Sequence, residues 1–198
     1  MEASERKKYR DRANRAYRSL LREKSQHGFI DDGAGKRYQV GVYYLLSGEV
    51  EKALAFYSWF EQEFPDDIGE PVFELYWALA HYRDGNMEAA RARLQGTMLQ
   101  NIYLLPFLFD EPLAKQNIWH SSNWTQPEYL CEIEMFLNEP TVEERHWIKR
   151  EFHSGPFEAL RTGYIETYGA LLGEKDFQRR GKILNDWRQF SQKFFEKE

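Results

Sequence analysis

Residues 35–100 read as two copies of one helix–turn–helix unit, and this internal repetition constrains the fold more than any other feature. The first copy, GKRYQVGVYYLLSGEVEKALAFYSWFEQEFP, ends at Pro65, and the second, PVFELYWALAHYRDGNMEAARARLQGTMLQ, starts at Pro71. Each runs from an apolar, Tyr-rich segment through a Gly to an acidic residue, an Ala and a second apolar run. Setting Gly48 on Gly85 puts Ala53 on Ala90, Leu46 on Arg83 and Tyr44 on His81, an offset of 37 residues. Two antiparallel helices interlock closely only where a small residue marks the crossing and a large one fills the wedge beside it. Gly41 and Ala53 are the small residues of the first copy, and Tyr44 and Tyr57 the fillers. Gly48 supplies the left-handed backbone that ends the first helix, and Pro65 stops the second. The pattern predicts four helices, near 35–47, 50–63, 71–84 and 86–100.

Those positions resemble the tetratricopeptide repeat family, with Gly41, Tyr44, Gly48, Ala53, Tyr57 and Pro65 on its signature places. The family's period is about 34 residues, and the extra residues here fit the loop 66–70. The second copy keeps Ala78, Gly85 and Ala90 but lacks the terminal Pro and carries His81 where the aromatic belongs. A narrower likeness begins upstream. Asp32, Gly35, Arg37 and Tyr38, then the repeat pair, then residues 101–109 (NIYLLPFLF), resemble a group of poorly characterised tetratricopeptide-like proteins. It covers about 31–110, a little under half of the chain. The resemblance implies an all-α superhelix without known catalytic residues. Its first helices would line a concave groove through Tyr38, Val42, Leu45, Leu75, Leu79, Tyr82 and Arg83. With only two repeats, that groove could also be filled from within by the terminal helices.

At 198 residues the chain is expected to form one domain with a real core. It would run as an N-terminal helical region (1–30), the repeats with their exit (31–110) and C-terminal helices (111–198). Aromatic residues make up 16% of it, many at helical spacing, which argues for folding rather than disorder. A mean hydropathy of −0.74 and no long apolar run exclude a spanning helix. The charged start has no apolar signal region, and the lone Cys131 permits no internal disulfide, so a cytoplasmic location is expected.

The net charge of −5 hides an asymmetry: residues 1–24 carry a balance of +5, residues 174–198 of +2 and the middle of −12. Basic ends and an acidic centre can attract each other and close the molecule. A basic N-terminal arm for nucleic acid is the sharper alternative, disfavoured because four acidic residues are interleaved in it.

Elsewhere, residues 2–26 read as one helix with the stripe Tyr9, Ala13, Ala16, Tyr17, Leu20 and Leu21, expected to cap the first repeat. Residues 101–109, broken by Pro106, should form a buried connection, and 110–123 a loop holding Trp119. Thr125-Gln-Pro-Glu128 and Thr141-Val-Glu-Glu144 are capping boxes, predicted to open helices to about Asn138 and Phe152. A helix from Ser154 buries Phe157, Leu160, Tyr164, Ile165, Tyr168 and Leu171 and stops at Gly173. The last helix carries Ile183, Trp187, Phe190 and Phe194, a stripe expected to close the array as a terminal cap.

Reactive constellations are missing from the pattern. Gly33-Ala-Gly35-Lys36 is no phosphate loop, because Arg37 follows where Ser or Thr belongs and no strand precedes. No two of the five histidines have metal-ligand spacing, and Cys131 has no neighbouring ligand. His81 reads as a packed histidine, and Glu143, Glu144 and His146 as a charged helix surface. An enzyme using His146 and His153 with nearby acids is the weakest reading. The expectation is therefore a non-enzymatic interaction scaffold without cofactor, its partner another protein or peptide segment.

Overall fold

The computed structural model describes residues 2–195. Among the described residues the chain is all-helical, with eleven α-helices and no strand. They are α1 (Ala3–His27), α2 (Lys36–Leu46), α3 (Val50–Glu63), α4 (Pro71–Asp84) and α5 (Met87–Gln100), then the single turn α6 (Leu104–Phe107). The rest are two further single turns, α7 (Tyr129–Glu132) and α8 (Glu134–Leu137), then α9 (Val142–Phe152), α10 (Gly155–Gly173) and α11 (Phe177–Gln192). None of the described helices is long and apolar enough to cross a membrane. Where one domain was expected, the chain divides into two compact units, 1–93 and 94–198, with the division inside α5.

In the first unit, α1 packs along α2, and α2 packs against both α3 and α4. Gly48 and Gly85 adopt φ of +86° and +83°, the left-handed backbone that ends α2 and α4. Pro71 opens α4, where its missing N–H costs nothing. Gly41 is where α2 and α3 close up. A Cβ there would lie 2.5 Å from Cζ of Tyr57. Tyr57 is fully buried and stacks on Trp77 at 4.7 Å, with Phe73 edge-on at 5.0 Å.

The lead-in to α2 has a local cause. Asp32 is buried at a φ of +41°, and its carboxylate accepts hydrogen bonds from the backbone N–H groups of Lys36 (2.9 Å) and Arg37 (2.7 Å). These are first-turn donors that the helix itself cannot satisfy. Gly35 takes the left-handed turn between them. The Arg37 guanidinium and the Tyr38 hydroxyl then both donate to Asp67, at 2.8 Å, which fastens the loop between α3 and α4 to α2. The Asp-x-x-Gly-x-Arg-Tyr pattern is thus a helix start and a loop clasp.

The second unit departs more from expectation. Thr141 and Glu144 form the predicted capping box of α9, but Thr125 does not cap. Its hydroxyl donates to the Ser122 carbonyl and meets His120 Nδ1 at 3.0 Å, so residues 123–125 make a 3-10 turn. The predicted helix to Asn138 is split into α7 and α8 at Ile133. Asn101 organises the loop opposite: its amide donates to the carbonyls of Trp124 and Gln126, and its oxygen accepts from the Tyr103 N–H. Trp119 lies on the α10 surface, its backbone N–H donating to the Tyr168 carbonyl at 2.9 Å and its indole stacked on that tyrosine.

Candidate docking trough

The groove expected from the repeats is not an open lining. Val42, Leu45, Leu75 and Leu79 are all buried in the core, because α2 is covered by α1, α3 and α4 together and has no apolar face left over. Tyr38 is half-buried and held by Asp67, burial and that carboxylate pushing its hydroxyl up to about 12. Tyr82 is half-buried, and the exposed Arg83 donates to the Leu45 carbonyl at 3.1 Å. The apolar members therefore hold the fold, and only the polar members reach the surface.

The histidines divide similarly. The Trp77 indole N–H donates to Nε2 of half-buried His81 at 3.1 Å, and burial pulls that imidazole below its usual range. His146 is exposed, and exposed His153 meets Glu111 at 2.9 Å. Among the described residues no three His, Cys, Asp or Glu side chains gather as metal ligands. Two cations of the basic N-terminal helix are engaged within the chain, Arg10 with Glu49 and Lys24 with Glu63.

One buried ionisable group stands out. Glu74 on α4 is nearly inaccessible, and burial raises its carboxyl to about 7, opposed by Arg93 at 3.4 Å and reinforced by Glu61. The same guanidinium lies 3.2 Å over the Trp77 indole. A folded-state acid raised from 4.5 favours the protonated fold. That contribution is complete below the unfolded value and is gone once pH has passed about 7. Glu74→Gln should therefore flatten the stability profile, removing about 3 kcal/mol of loss between pH 4.5 and 8. Urea titrations of both proteins at several pH values check this, and parallel profiles would refute it.

An open concavity of about 630 Å3 lies between α10 and α11. The two helices pack as a pair. Their contact turns on Gly163, where a Cβ would lie 2.6 Å from the Phe190 ring. Tyr164, Tyr168 and Trp187 fill one side of that contact, with the two tyrosines stacked at 4.1 Å and Trp187 edge-on to Tyr164 at 5.8 Å. On the other side α10 presents Ala159, Thr162, Glu166 and Ala170, residues too small, Glu166 apart, to close the gap to Ile183 and Phe190.

No family model, curated protein or solved structure matches this chain. The trough has to be read from its own chemistry.

That chemistry is apolar and shallow, with two carboxylates on its edges. Glu166 and Asp186 are exposed, and neither forms an ion pair among the described residues. The predicted stripe of α11 is present but only half-covered: Ile183, Trp187, Phe190 and Phe194 are all partly accessible, and α11 has no buried residue. A terminal helix whose apolar side is half wet is the reverse of a closing cap. Sequence reasoning misses the trough because its α10 wall consists of small residues, which carry little hydropathy signal. Their spacing, 159, 162, 166 and 170, is the one available clue.

Proposed function

We propose that the protein is a non-catalytic interaction scaffold that docks an amphipathic helix in the trough between α10 and α11. The observation that carries this reading is the half-covered apolar stripe of α11 beside a wall of small residues. Small residues let a third helix approach closely, and half-covered Ile183 and Phe190 offer it apolar anchors. In this reading α2–α5 are two tetratricopeptide-like units serving as a framework rather than as the docking groove. It is supported by the order and similar lengths of α2–α5 and by the left-handed Gly48 and Gly85 at equivalent places. The reading is tested by placing a photo-crosslinking residue at Ala170 and, separately, at exposed Glu51 on α3, in cells making the protein. An adduct at Ala170 and none at Glu51 is expected. An Ala170 derivative that stays free of adducts ends the proposal.

A further inference from the structure

Resting on the trough as a docking surface, we infer that its occupant is α11 of a second copy of this chain, in a two-fold dimer. The charged side chains lining the trough are two carboxylates, Glu166 on α10 and Asp186 on α11, and α11 supplies cations to meet them. The α10 wall carries Glu166 in the middle of its small residues. Beside Asp186, α11 carries Lys182 one turn before it and is capped by Lys193, seven residues after it and in line with the same face. Both lysines are exposed and neither is ion-paired among the described residues. A second α11 laid into the trough brings its own Ile183 and Phe190 onto Ala159, Thr162 and Ala170, beside the Gly163 that the chain's own Phe190 already covers, and its lysines to Glu166. A two-fold axis makes each of these contacts twice, since the wall that receives also inserts. The same step covers the stripe that a single chain leaves half exposed. A foreign helix would need this combination of apolar anchors and flanking cations, which the chain already carries.

Sedimentation velocity of the full chain tests this, up to about 100 µM. A mass near twice 23.7 kDa is expected. Glu166→Lys should weaken the dimer about tenfold or more, Lys182→Glu likewise, and the two together should recover most of the loss. Ala170→Arg, an exposed position, should leave a folded monomer. A wild-type chain that stays monomeric overturns the inference, and so does a dimer indifferent to both Glu166→Lys and Ala170→Arg. The two levels of the reading fail separately. A monomer whose Ala170 crosslinks a different protein overturns the second copy alone, whereas a monomer without any adduct overturns the trough as a docking surface as well.

Discussion

Gly41→Val is expected to destabilise the protein by about 4 kcal/mol, above the roughly 1–3 kcal/mol usual for overpacking a core. The new Cβ would sit 2.5 Å from Cζ, 2.6 Å from Cε1 and 2.9 Å from Oη of Tyr57, so something must move. The tyrosine has no room to retreat. Its ring is stacked on Trp77, with Phe73 and Phe56 edge-on, and all four side chains are buried. The backbone of α2 is no freer, with α1, α3 and α4 packed against it. Chemical denaturation reads the loss, and a destabilisation below about 1 kcal/mol would mean that the crossing is looser than this geometry. Tyr57→Phe is the informative companion. The Tyr57 hydroxyl is buried with no hydrogen-bond partner among the described residues, so removing it should be neutral or stabilise by up to about 1 kcal/mol. It should not rescue Gly41→Val, because the nearest atoms belong to the ring.

The crossing at Gly41 was legible in the sequence because its signal is local and chemical. A glycine inside an apolar helix weakens that helix, so its presence there points to a neighbour that needs the space. Gly48, Gly85, Pro71 and the Thr141–Glu144 box were legible for a related reason: each acts on the backbone within one turn of itself. Thr125 failed because its hydroxyl was claimed by Ser122 and His120, a competition that spacing does not reveal. The groove failed for a different reason. Val42, Leu45, Leu75 and Leu79 have the periodicity of a lined surface, and periodicity states only that a face is covered, not by what. Here the cover is the chain's own helices. The α10 wall of the trough is the converse case, in which Ala159 and Ala170 matter through what they leave empty.

The role of Arg145 could not be read at all, and its loss should have an effect comparable to that at Gly41. In sequence it lies among Glu143, Glu144 and His146 and looks like one more surface charge. In the fold its guanidinium donates to three carbonyls from two segments: Leu108, and Leu137 with Pro140 (3.1 Å) in the link from α8 to α9. Leu108 and Leu137 close the single-turn helices α6 and α8, whose last carbonyls have no intrahelical partner. Both residues are buried, so water is a poor substitute. Bonds from a charged donor are worth about 1.5–3 kcal/mol each, and buried acceptors left without a partner keep their desolvation penalty. Arg145→Met is therefore expected to cost about 4 kcal/mol, less than the sum of three bonds because the loops can relax. Arg145→Lys should recover only part of this, since an ammonium lacks the planar fork that reaches three directions. Urea denaturation gives the magnitude, and amide exchange should speed up selectively at residues 134–139. A loss under about 1 kcal/mol with unchanged exchange would show that the short helices hold without the clamp. Arg145 and Glu166 are both charged residues on amphipathic helices, yet they end in opposite roles. Arg145 has three protein acceptors and is structural, whereas Glu166 faces an open trough without an ion-pair partner among the described residues.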